Sequence, residues 1–132
     1  MKLLRAFGLA FGLSLALLLA PGIGDQKAQA QNRPLEIYVA RLSAQDHYNS
    51  NGVRLLTVAG IIRQDRANYH EFGKRDRDDT DDVFFASVAN RARLEALLLH
   101  GVMSPATKNE ILNGTPLITV EVYENYVNVY VK

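Results

Sequence analysis

Branched aliphatic residues fall at every second position on both sides of a two-residue polar break near the end of the chain. Ile118, Val120 and Val122 precede Glu124-Asn125, and Val127, Val129 and Val131 follow it. An antiparallel hairpin puts all six on one face. With Glu124-Asn125 as the turn, Val122 opposes Val127, Val120 opposes Val129 and Ile118 opposes Val131. Tyr123 then meets Tyr126 and Thr119 meets Tyr130 on the other side, which also carries Asn128. Glu-Asn is not the favoured Asn-Gly turn, but a register one step away would match the valines less well. A two-stranded hairpin is marginal on its own, so the rest of the chain must supply a third strand and a cover.

The third strand is predicted over residues 35–42, where Leu35, Ile37 and Val39 alternate with Glu36 and Tyr38, the apolar set being assigned to the core. Residues 43–52 are rich in Asp, His, Asn, Ser and Gly and read as a polar loop. From Val53 to about Tyr69, Leu55, Val58, Ala59, Ile62, Arg66 and Tyr69 recur at helical spacing. Residues 53–62 alone could form a buried strand, but the length of the run favours a helix capped by Ser50 or Asn51. A charged connector, residues 72–82, leads to a helix over about 82–100. Thr80 or Asp81 would cap it, Phe84, Val88, Ala92, Ala96 and Leu99, widened by Phe85 and Ala89, would face the core, and Gly101 would stop it. Leu94, Leu97 and Leu98 lie outside that face and are expected to touch a second layer. Ser104-Pro105 opens a short helix to Leu112, ended by Asn113-Gly114. The fold class is therefore α+β: a small, mainly antiparallel sheet, made of the N-terminal strand and the C-terminal hairpin, packed against two main helices and one short one.

Residues 1–30 are set apart from that domain. Lys2 and Arg5 precede an apolar run from Ala6 to Ala20, broken by Pro21, Gly22 and Gly24, and Ala28-Gln29-Ala30 follows. This is the pattern of a cleavable secretory signal peptide, with an apolar core short for a membrane anchor, and it implies a periplasmic or extracellular destination. Cleavage after Ala30 leaves residues 31–132 as one domain with no stable membrane anchor. It also removes Lys2, Arg5, Lys27 and Asp25, which turns a net charge of +1 into 12 basic residues against 13 acidic ones. That balance gives no footing for nucleic acid.

Several chemistries are excluded outright. The chain has no Cys, so disulfide staples, thiolate metal sites and a cysteine nucleophile are absent, and its 48% apolar content argues against disorder. There is no Gly-x-Ser-x-Gly, no glycine-rich phosphate loop and no cofactor motif. Ser43, Ser50, Ser87 and Ser104 have no base beside them in sequence. Asn113-Gly114-Thr115 matches a glycosylation acceptor, though it serves more simply as a helix stop.

Three constellations remain. Asp46 and His47, with Asn49 and Asn51 near by and His70 further on, are the place where a base, a carboxylate and polar ligands could converge for acid/base or metal chemistry, with Asp65 as a further member. They depart from a ββα-metal nuclease because Asn51 follows His47 too closely to lie across a hairpin; a polar loop and a surface histidine are the plainer meaning. Asp76, Asp78, Thr80 and Asp82 alternate like part of a calcium loop. Asp81 stands where that loop needs Gly, however, and Ser87 where it needs Glu, so a solvated charge run capping a helix is the plainer meaning here too. Tyr123, Tyr126 and Tyr130 share the outward side of the hairpin and could form a recognition surface or simply stabilise the sheet. The expected function is accordingly that of an exported, non-catalytic module binding a protein or cell-envelope partner through the tyrosine face or the open hairpin edge. A small hydrolase using Asp46, His47 and His70 is the alternative, and an envelope stability factor with no small ligand is a third reading.

Overall fold

A computed structural model describes residues 33–132; the export signal assigned to residues 1–30 lies outside them. The described chain runs β1 (Glu36–Arg41), a 3₁₀ turn (Ala44–His47), α1 (Val58–His70), a 3₁₀ turn (Phe84–Ala86), α2 (Val88–Ala92), α3 (Leu94–His100), α4 (Pro105–Asn113), β2 (Leu117–Val122) and β3 (Val127–Val131). The strands form one antiparallel sheet in the order β1-β2-β3, which with the helices is the expected α+β fold. Among the described residues no helix is long and apolar enough to cross a membrane.

The hairpin has the register read from its valines, with Ile118 opposite Val131, Val120 opposite Val129 and Val122 opposite Val127. Pairing β1 to β2 sets Tyr38 opposite Val120 and Ala40 opposite Ile118. Those residues share the inner face, so β1 is turned over relative to the sequence expectation: Tyr38, Ala40 and Leu42 are buried, while Leu35 is 65% and Ile37 53% exposed. Side-chain parity explains the reversal, because turning Leu35, Ile37 and Val39 inward would also have turned Arg41 inward, at the cost of an unpaired buried charge. Arg41 instead reaches Asp78 at 2.9 Å on the surface.

Helix α1 starts five residues later than expected. Thr57, not Ser50 or Asn51, caps it by accepting from the Gly60 amide at 3.0 Å. Residues 53–56 are held outside the helix by backbone bonds to the polar loop, Leu55 N–H to His47 O (2.8 Å) among them. Asn49 Oδ1 accepts from the amides of Asn51 and Val53, closing a turn that leaves Gly52 at φ +76°.

The helix expected over 82–100 is divided into three pieces. Neither Thr80 nor Asp81 caps it: Asp82 Oδ2 accepts from the Phe85 amide (2.7 Å) and starts the 3₁₀ turn. Ser87 then restarts the backbone as the cap of α2. The carbonyls freed by the break are taken by side chains: Arg91 Nη1 donates to Phe85 O (2.6 Å) and Ala86 O (3.1 Å), and Asn90 Nδ2 donates to Phe84 O (2.9 Å). The break rotates the apolar face. Val88 and Leu99, expected inside, are 66% and 78% exposed, and the core takes Phe85, Leu94 and Leu97. The short helix is as expected, with Ser104 capping, Pro105 in the first turn and Gly114 at the end.

Both sheet edges are partly covered. Along β1, Val39 exchanges hydrogen bonds with Thr80 (N–H to Oγ1 2.8 Å; Thr80 N–H to Val39 O 2.9 Å), and Arg41 N–H donates to Asp79 Oδ1 (2.8 Å). Along β3, Val129 N–H donates to Val102 O (2.9 Å) and Val102 N–H to Asn128 Oδ1 (2.8 Å). The hairpin edge anticipated as a docking site is thus covered at its middle by the chain itself. Gly101 makes that coverage possible, since a Cβ there would lie 1.7 Å from the Val127 carbonyl oxygen. Gly101→Ala is expected to push the segment off β3 and destabilise the fold by about 1–3 kcal/mol, the range for overpacking. Urea denaturation measures this, and an unchanged midpoint would mean that the edge coverage is dispensable.

Candidate functional site

Inverting β1 enlarges the surface on which the tyrosines stand. Ile37 pairs with Glu121, which pairs with Asn128, and Val39 pairs with Thr119, which pairs with Tyr130, so these residues share the outer face. Tyr123 and Tyr126 stack at the hairpin end with ring centroids 4.3 Å apart and planes 13° from parallel. Both are half-buried, and Tyr130 is 41% exposed. The helical layer packs on the opposite face, against Tyr38, Val120 and Val129. Asn128, expected as part of the open surface, is buried: its amide bonds Val102 and, at 3.2 Å, Glu121 Oε2. Tyr123 Oη donates to the same Glu121 oxygen at 3.3 Å. Lost hydration and then the nearby carboxylate hold the Tyr123 phenol above its ordinary value.

The acid/base candidates are distributed rather than gathered. Each ring nitrogen of His47 faces a backbone carbonyl, Nδ1 that of Ser43 at 3.0 Å and Nε2 that of Ile111 at 2.8 Å, so the ring ties the 3₁₀ turn to α4. Asp46 Oδ2 closes a capping box on Ser43, and its Oδ1 accepts from Asn68 Nδ2 at 2.8 Å. Burial raises the Asp46 carboxyl above its usual range, opposed by the bonds from Asn68 and Ser43. His70 Nε2 lies 2.8 Å from Asp82 Oδ1 and shares no hydrogen-bonding partner with His47. The alternating aspartates do not converge either. Asp78 pairs with Arg41, Asp79 Oδ2 accepts from the Asp76 amide, and Asp82 turns inward. No group of three or more acidic or histidine side chains is arranged to hold a metal among the described residues.

What the sequence reading missed is a buried charge centre. Arg66, fully buried, donates from Nε to Asp65 Oδ2 and from Nη1 to Asp82 Oδ1, each at 2.8 Å. Its guanidinium lies 4.6 Å from the Tyr38 ring centroid and 4.5 Å from that of Tyr69. Arg66 Nη2 and Tyr38 Oη are buried without a partner among the described residues. Burial works against the Arg66 charge, but Asp65, Tyr38 and the hydrogen bonds that Arg66 donates to both carboxylates together hold it above its ordinary value. One cation faces two carboxylates, and desolvation pushes Asp65 up to about 7 despite the attraction of Arg66. The sequence did contain the signal: Arg66 falls on the apolar row Val58, Ile62, Tyr69, where a solvated arginine does not belong.

Comparison of the chain with family models, with curated proteins and with solved structures finds no match.

Removing the guanidinium would leave Asp82 and Asp65 buried without their cation, so Arg66→Ala is expected to cost about 3–5 kcal/mol in chemical denaturation. A loss under about 1 kcal/mol would show that the centre relaxes into water. Asp65 sets a pH dependence. Because its folded-state value lies above its unfolded one near 4, its stabilising contribution is complete below about pH 4 and is lost as pH rises towards about 7. Across that window the stability of the wild type relative to Asp65→Asn is expected to fall by at most about 1.4 kcal/mol per pH unit. Parallel pH profiles would show that Asp65 ionises equally in both states.

Proposed function

We propose that this chain is an exported, non-catalytic module that binds a protein partner through the outer face of its sheet. The reading is carried by one observation: an antiparallel sheet whose inner face holds the whole helical layer presents Leu35, Ile37 and Tyr130 to solvent beside the stacked Tyr123 and Tyr126. Exposed apolar side chains grouped with rigid aromatics on one surface are the composition of an interface core. Export is supported by the charged start, apolar run and Ala-Gln-Ala of residues 1–30.

The chemistry of the face favours one kind of partner. Glu121 lies between Ile37 and Asn128, takes neutral hydrogen bonds from Tyr123 and Asn128, and forms no ion pair among the described residues. A partner surface of apolar side chains around one Lys or Arg would complement it. The coverage at the middle of both edges favours binding at the face over strand addition.

A photo-crosslinking residue placed at Tyr130, with a control at exposed Arg63 on α1, tests this in cells of the native source. A defined adduct is expected from position 130 alone. Ile37→Lys and Tyr126→Ala are each expected to weaken the captured partner's binding by about 30-fold or more, the range of an interface hot spot, while keeping the melting transition. Equal adducts from both positions, or an affinity that neither substitution changes, would overturn the reading.

A further inference from the structure

A second surface, separate from the sheet face, has the make-up of a small-molecule site. The polar loop after β1 and the C-terminal half of α1 line an open cleft of about 440 Å³, within the size range of ligand pockets. Exposed Tyr48 and Phe72 contribute aromatic walls, and Gln45, Gln64, Asn68 and Lys74 contribute polar groups. Arg54 lies over the Tyr48 ring, 5.9 Å from its centroid, and helps to hold it.

The amides are ordered by a relay of hydrogen bonds. Ser43 donates to Asp46 Oδ2 from N–H (2.8 Å) and Oγ (3.0 Å), Asn68 Nδ2 donates to Asp46 Oδ1 (2.8 Å), and Gln64 Nε2 donates to Asn68 Oδ1 (3.1 Å). A carboxylate at the buried end accepts only, so each amide in turn must present its NH₂ towards it. With its NH₂ turned to Asn68, the Gln64 carbonyl oxygen is left without a hydrogen-bond partner among the described residues, on a side chain that lines the cleft. Lys74 is anchored beside it by its backbone N–H to Asn68 O (2.8 Å), and its ammonium has no ion-pair partner among the described residues.

We propose that this cleft binds a short saccharide bearing a carboxylate. Sugar rings offer C–H faces to Tyr48 and Phe72 and hydroxyl donors to the oriented Gln64 carbonyl. Lys74 supplies one charge-assisted bond for a carboxylate. The lining has no carboxylate of its own to repel that group and no arginine or glycine-rich loop to cradle a polyphosphate. In this light Asp46, Asn68 and Gln64 are positioning residues: they fix an acceptor and carry out no chemistry.

The test is a glycan array of short oligosaccharides in matched neutral, carboxylated and sulfated forms, probed with the purified full-length protein and followed by titration of the best ligand. Retention of uronate- or muramate-type members above their neutral counterparts is expected. Lys74→Gln, at an exposed position, should abolish that preference, and Gln64→Ala should weaken binding at least tenfold with the thermal transition retained. Tyr126→Ala should leave saccharide binding unchanged, which separates this site from the sheet face. No retention of any carboxylated member, equal retention of neutral ones, or binding undiminished in both cleft variants would overturn the proposal.

Discussion

One guanidinium, removed from water on all sides, stands where strand, helix and connector meet. Arg66 projects from α1, lies over Tyr38 of β1 and Tyr69 of its own helix, and bonds Asp65 beside it and Asp82 from the connector. Asp82 in turn accepts from the Phe85 amide and meets His70. Buried ion pairs add little net stability because desolvation offsets attraction. Their strength is in what they forbid: any arrangement that separates these partners strands a charge in a dry interior. The contact therefore selects the face β1 turns inward, the start of the 3₁₀ turn and the path of the connector.

Those choices decide which surfaces remain open. With Tyr38 turned in over Arg66, Leu35 and Ile37 are turned out and join the tyrosines. With the connector tied down at Asp82, Thr80 and Asp79 meet β1 and cover part of its edge. The same α1 that carries Arg66 inward carries Gln64 and Asn68 towards the polar loop, where Asp46 orders them. Core, sheet face and cleft are consequences of one helix's orientation rather than independent features.

The hairpin register was legible because period-two patterning in β2 and β3 puts all six aliphatics on one face around a two-residue turn, and a one-residue slip turns one strand's three outward. The short helix was legible because Ser104 and Pro105 act on its first turn and Gly114 on its last. The helix over 82–100 was not. Its helix formers favoured continuity, and only the demand that Asp82 face Arg66 while Arg91 reaches the Phe85 carbonyl divides it. The candidate histidines were legible as chemistry but not as geometry, since His47 answers to carbonyls at positions 43 and 111, the second far away in the chain.

By itself, then, the sequence determined the elements whose signals are local and point one way: the alternation of the hairpin, the Ser104 cap and Gly114 stop of the short helix, and the lack of cysteine. Tertiary structure decided everything that turned on a choice between two acceptable faces. Residues 35–42 hold apolar side chains on both, so propensity and pattern balance there, and the cost of burying Arg41 unpaired breaks the tie. Local patterns are settled by energies within a few residues; the placement of a buried charge is settled by partners that only the folded chain brings together.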